Sequence, residues 1–123
     1  MTATLADFAA QQDARNTNQL NVTKWCLILC DTLTDRAPTS IGYDYSFQLD
    51  SSGRKYHKVI MIDSSVRANR SVHAYIDKKT GEVYKPANTK APAKGVRYNL
   101  FIITEREEML ENATWCGSYL YLR

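Results

Sequence analysis

The stretch SVHAYIDKKTGEVYKPANTKAPAKGVRYNL, Ser71 to Leu100, decides the fold. Val72, Ala74 and Ile76 alternate with His73 and Tyr75, the period-two pattern of a strand, which predicts the two groups on opposite faces. Asp77-Lys78-Lys79-Thr80-Gly81 is turn chemistry: Asp77 can accept from turn amides, and Gly81 can take a positive φ that other residues resist. Glu82-Val83-Tyr84-Lys85 returns as the partner strand until Pro86 stops it. The arm that follows, PANTKAPAK, has two prolines and no apolar periodicity, so it is a loop held down at intervals.

Upstream of this hairpin the chain builds more sheet. Tyr43, Tyr45, Phe47 and Leu49 alternate with polar residues, predicting a half-buried strand from Tyr43 to Leu49. Asp50-Ser51-Ser52-Gly53 is a turn with Gly53 available for the left-handed conformation. Lys55–Asp63 follows as a partner whose centre, Val59-Ile60-Met61-Ile62, is apolar on both faces and belongs in the middle of a sheet covered by a helix. Ser64–Arg70 reads as a basic loop.

The N-terminal third is helical. Thr4 can cap a helix over about Leu5–Arg15, with Asp7 placed to favour its exposed amides. The polar run Asn16-Thr17-Asn18-Gln19 separates it from a second helix, Val22–Asp35, stopped before Pro38. Trp25–Cys30 also suits a short buried strand, but length favours the helix. Downstream, Leu100–Ile103 is a short apolar strand or buried lead-in. Thr104-Glu105-Arg106-Glu107 has the capping-box pattern for a helix over about Glu105–Ala113, with Met109, Leu110 and Ala113 inward. Tyr119–Leu122 suits a final strand after a bend at Gly117.

These elements predict one α+β domain over 1–123: a helical part (1–36), then a sheet part (43–123). The sheet is antiparallel with four or five strands, accompanied by two N-terminal helices and one helix near the C-terminus. At 123 residues the chain is long enough for one core and too short for two. Its 44% hydrophobic and 24% charged content is that of a globular domain. No window of 18 apolar residues predicts a membrane span, and the N-terminus lacks a signal-peptide pattern, so the expected location is the cytoplasm. The sequons at Asn21, Asn69 and Asn112 are then chance matches.

Charge is segregated along the chain. Residues 54–97 hold eleven basic residues against three acidic ones, a local +8, while the remainder carries −5. Lys78, Lys79, Lys85, Lys90, Lys94, Arg67, Arg70 and Arg97, with Tyr84, form the candidate binding residues for nucleic acid or an acidic protein surface. Tyr75 and Tyr98 are further candidate stacking rings, and the alternative for all three tyrosines is packing in the sheet with hydroxyls at its rim. The lysines likewise have a plain alternative as solubilising residues on a sheet edge. No helix-turn-helix, RNP or zinc-finger pattern points to sequence-specific readout.

Catalytic chemistry has little to stand on. His57 and His73, with Asp63 or Asp77, are the available acid–base groups, but there is no nucleophile elbow, phosphate loop or HExxH. Cys26, Cys30 and Cys116 are odd in number with no CxxC, which fits free thiols; Cys116 beside Trp115 reads as a small buried hydrophobe. The expectation is a protein without enzymatic activity, cofactor, metal or identified small-molecule substrate.

The hairpin and arm, with FQLDSSGRKYHKVIM upstream and TWCGSYLYLR at the end, resemble small uncharacterised proteins of tailed bacteriophages, marine ones included. There a hairpin of the form VHAFVDKKTGEVYKPA precedes a lysine–proline arm and an RYNL-like end. Where that group carries a tryptophan in the arm, this chain has Asn88-Thr89-Lys90. The resemblance covers about residues 43–123 and implies a phage accessory protein, but no mechanism. The second reading is a structural or interaction protein without nucleic-acid binding: a virion component, a host-factor binder or a homo-oligomer that docks by adding strands.

Overall fold

A computed structural model describes residues 4–39, 44–64 and 69–121. Helix α1 (Leu5–Arg36) is followed by strands β1 (Tyr45–Asp50), β2 (Tyr56–Asp63), β3 (Asn69–Asp77), β4 (Glu82–Tyr84) and β5 (Tyr98–Asn99), then helix α2 (Ile103–Asn112) and a 3-10 turn, Ser118–Leu120. The strands form one antiparallel sheet in the order β1-β2-β3-β4-β5, so each pairs with its sequence neighbour. This is the expected α+β arrangement, and β1 and β2 pair as anticipated, Phe47 opposite Met61 and Leu49 opposite Val59. Tyr43, at the start of the expected first strand, lies outside the described residues.

The N-terminal part is one helix of 32 residues, not two. Asn16–Gln19 contains neither Gly nor Pro, and polar residues there cost only tenths of a kcal/mol each, roughly less than ending one helix and nucleating another. Thr4 caps the start as expected: its Oγ1 accepts from the Asp7 amide at 3.1 Å, and the Asp7 carboxylate accepts from the Thr4 amide at 3.1 Å. Only the second half is anchored. Val22, Cys26, Leu29, Cys30 and Leu33 are buried, whereas every residue from Thr4 to Leu20 is exposed.

The anchored half of α1 packs on one face of the sheet, meeting Phe47, Val59, Ala74, Ile76 and Val83, and Leu100, Met109, Ala113 and Leu120 complete the core. Thr34 also guards the outer edge of β1, accepting from the Phe47 amide at 3.0 Å while donating to the Cys30 carbonyl at 2.9 Å. An edge amide that would otherwise invite a foreign strand is thereby occupied.

Strand β3 departs from simple alternation. Val59 faces Ala74 but Ile60 faces Val72, so a bulge places one extra residue in β3. His73 therefore joins Ala74 and Ile76 on the helix-facing side, its ring edge-on to Phe47 at 5.1 Å, while Val72 and Tyr75 face away. The expected grouping of Val72 with Ala74, and of His73 with Tyr75, is overturned by that single inserted residue.

The β3–β4 turn follows the expected chemistry. Asp77 Oδ1 accepts from the amides of Lys79 and Thr80 at 2.8 and 3.0 Å, and Gly81 has φ +69°. A Cβ at Gly81 would lie 3.0 Å from the Phe101 ring, so close packing adds to the conformational need for glycine. Gly53 differs from expectation, since it is not among the glycines with positive φ.

The C-terminal quarter differs more. Strand β5 is Tyr98–Asn99, and Leu100 turns away into the core instead of continuing a strand to Ile103. Helix α2 begins at Ile103 with no side-chain cap, since Ile102 at the N-cap has no polar side chain; the expected Thr104–Glu107 capping box does not form, and Glu105 reaches back to accept from the Asn99 amide at 3.2 Å. That bond occupies the outer edge of β5, and within the expected final strand Tyr119 and Leu120 instead belong to the 3-10 segment that follows Gly117, with φ +80°, Leu122 lying outside the described residues. Arg36 ties the two helices together by donating from Nη1 to the carbonyls of Leu110, Glu111 and Ala113, at 2.7 to 3.1 Å.

Candidate basic surface and its aromatic floor

The sheet face turned away from α1 carries Tyr56, Lys58, Tyr75 and Tyr84. Tyr56 meets Tyr75 and Tyr84 edge-on at 5.7 and 6.1 Å, with Lys55 over the Tyr56 ring and Lys58 over the Tyr75 ring at 5.3 and 5.7 Å. The arm folds across this face as a closed loop. Pro86 bridges Pro92, the Ala93 amide donates to the Lys85 carbonyl at 2.7 Å, and Asn88 Oδ1 accepts from the amides of Lys90 and Ala91. Two bonds hold it to the sheet: Tyr75 Oη donates to the Asn88 carbonyl at 2.9 Å, and Lys58 Nζ to the Thr89 carbonyl at 3.3 Å.

This arrangement spends the tyrosines inside the fold. Tyr75 is 1% exposed beneath the arm. Tyr84 is half-buried and donates to the Glu82 carboxylate at 2.8 Å; burial first, then that partner, pushes its hydroxyl up to about 12. Tyr98 donates to the Tyr119 carbonyl at 3.1 Å. Tyr75 offers no open ring for base stacking, and the hydroxyls of all three are committed to partners within the fold.

Several cations are likewise committed. Lys78 Nζ donates to the Ser51 carbonyl at 2.6 Å and also to that of Gly53, clamping the β1–β2 turn against the β3–β4 turn. Arg97 directs Nε at the Leu120 carbonyl at 2.6 Å and Nη1 at the carbonyls of Lys94 and Gly95. Such bonds leave the charge in place but fix its position. Lys85 sits over the Tyr121 ring at 4.8 Å. Lys79, Lys90, Lys94 and Arg70 are exposed, and the ammonium groups of the three lysines have no partner among the described residues. Arg67 lies outside the described residues.

Two turns converge at one end of the sheet, where Arg54, Lys55, Lys79 and Thr80 surround a shallow depression with Asp77 at its floor. The positive charge is thus displayed in two places, this turn end and the arm. Arg54 and Lys55 were not singled out from the sequence; the β2–β3 pairing, with Tyr56 opposite Asp77, brings them beside Lys79.

The histidines serve the core. His57 lies between Ser51 Oγ at 2.7 Å and Thr23 Oγ1 at 3.4 Å, and burial, reinforced by Lys78, lowers its pKa. His73 bonds Tyr119 Oη through Nε2 at 2.7 Å, and burial lowers it to about 4. Neither has a carboxylate as a hydrogen-bond partner. Cys116 is exposed, contrary to the expected buried thiol, and hydrogen bonding with the Ser118 backbone and with Thr114 lowers its pKa. Cys26 and Cys30 are buried, which raises both, Cys30 to about 11. Among the described residues no group of three His, Cys, Asp or Glu side chains could hold a metal ion, and no helix is long and apolar enough to cross a membrane.

The sequence profile of DUF7717, a family of unknown function, matches residues 5–122. The chain belongs to this family. The match takes in the whole of α1 and the hairpin with its arm, so the exposed first half of α1 falls within the family's span. No curated protein and no solved structure matches it.

Proposed function

We propose that this member of DUF7717 is a non-enzymatic bacteriophage accessory protein that binds an acidic partner through the turn end and arm of its basic hairpin. One observation carries the reading: Lys79, Lys90 and Lys94 are exposed, their ammonium groups without a partner among the described residues, on a segment whose charge is +8. Charge left free on rigid turns acts at a distance and steers an anionic partner. Because Tyr75 is buried and the hydroxyls of Tyr84 and Tyr98 are bonded within the fold, the contact is read as one to phosphates or carboxylates rather than to bases. Such binding to nucleic acid is insensitive to sequence and sensitive to salt. The resemblance of the hairpin to tailed-phage proteins supports the phage role.

The test is binding of single-stranded DNA and RNA at low and moderate salt. Affinity is expected to fall with a log–log slope of roughly −0.7 per phosphate contact. Changing Lys79, Lys90 and Lys94 together to Gln is expected to weaken binding alike for all sequences, flatten the slope and leave the melting temperature nearly unchanged. Absence of binding at about 50 mM salt, where screening is weak, rejects the nucleic acid.

A second reading has its own support. Leu20, Leu27 and Ile28 are 70%, 49% and 38% exposed on α1, and Phe8 is 61% exposed. Large exposed apolar side chains on a helix favour a protein partner or a second copy. Concentration-dependent sedimentation of the triple-Gln protein separates this reading from the electrostatic one.

A further inference from the structure

A cleft of about 370 Å³ opens where β4 ends and leaves the first half of β3 uncovered. Met61, Pro86, Trp115 and Leu120 give it apolar walls, His73 and Gly117 line it, and Lys85 stands in its lining. Its size is that of small-molecule sites, which combine apolar walls with a few fixed polar groups.

The polar group at its floor can be assigned. His73 is 8% exposed, and its Nε2 lies 2.7 Å from Tyr119 Oη. Among the described residues Nε2 is the one side-chain acceptor bonded to the Tyr119 hydroxyl, and we assign that proton to it. The neutral ring therefore carries its own proton on Nδ1. That nitrogen has no partner among the described residues, yet no side-chain polar atom there is sealed from solvent without one. Nδ1 thus reaches open space, and the space beside it is the cleft. The Cε1–Nδ1 edge faces Gly117, where a Cβ would sit 3.6 and 3.9 Å from those two atoms. Gly117 is required there by its backbone, with φ +80°.

We propose that this cleft binds a small aromatic carboxylate. The ring lies between the apolar walls, an acceptor on the ligand takes the His73 Nδ1–H, and the carboxylate meets the Lys85 ammonium. A donor fixed in an apolar cleft selects for an acceptor because the bond is made with little competition from water. The cation in the lining selects for negative charge. No proton transfer is required, since the imidazole stays neutral and donates only. The inference is independent of the acidic-partner reading, whose triple-Gln variant leaves Lys85 intact.

The experiment titrates indole-3-carboxylate into isotope-labelled protein and follows nitrogen–proton spectra, including the His73 ring. Saturable shifts are expected at Ser71, His73, Gly117 and Leu120, with the Nδ1 proton displaced. Neutral indole is expected to bind at least about tenfold more weakly, and Lys85→Gln to remove most of that difference while the unbound spectrum stays folded. Three results each overturn the proposal: no saturable shift at millimolar probe, equal affinity for indole and its carboxylate, or shifts confined to other parts of the molecule. A His73 ring protonated on Nε2 in the free protein also overturns it.

Discussion

His73 shows how far a single residue can be read from sequence. Its place on a strand was legible, but its face was not, because the bulge that turns it toward α1 depends on how β2 pairs with β3. Its titration follows from that placement. With a folded pKa of about 4 against an ordinary 6.5, the unfolded chain binds the extra proton first as pH falls. Stability is therefore full above about pH 6.5 and declines toward pH 4, by about 3 kcal/mol from this residue. Urea unfolding at pH 7 and pH 5 measures the decline, and His73→Gln is expected to flatten it while lowering stability at neutral pH. Asp77 and Gly81 were readable because their partners lie within four residues. Lys78 and the Nε bond of Arg97 were not: their acceptors sit 25 to 27 and 23 positions away, on carbonyls that no side-chain pattern marks.

At the level of elements, local pattern served where one face of a strand or helix is buried, and failed where an end had to be placed. The β1–β2 pair announced itself by alternation, and the buried stripe of α1 by helical spacing from Val22 to Leu33. The continuity of α1 did not, since a polar run looks like a break yet contains nothing that breaks a helix. The last segment misled for the opposite reason: Tyr119–Leu122 has strand composition, but Glu105 already occupies the edge it would join. Helix ends are also where Arg36 acts. Its three bonds satisfy carbonyls at the C-terminus of α2, which has no basic residue in its last turn. Replacing Arg36 by Met is expected to cost about 1–2 kcal/mol, the guanidinium being partly solvated. Loss of helical circular dichroism at the lower end of a melting curve checks it.

Across the whole molecule, sequence gave the sign of the surface and structure gave its distribution. The +8 segment is divided between charges that lock turns together and charges left free at the turn end and the arm. Of the candidate rings, Tyr75 vanishes beneath the arm, which is held down there through the Asn88 carbonyl. The cleft beside His73 was not legible at all, since it is bounded by Met61, Pro86 and Trp115 from three distant parts of the chain.

The long α1 has two halves that live under different conditions. Its 32 residues span about 48 Å, yet packing begins only at Val22. The exposed turns persist by elongation from the anchored half and by the Thr4–Asp7 cap, with little else to hold them. Amide hydrogen exchange is therefore expected to run as a clock along this one helix. Amides near Leu5–Gln19 should exchange in the fastest class, by fraying, and those from Cys26 to Leu33 should wait for global unfolding. Uniform protection along the helix in the isolated protein would mean that the exposed turns are already covered, and a second copy is then the thing to look for.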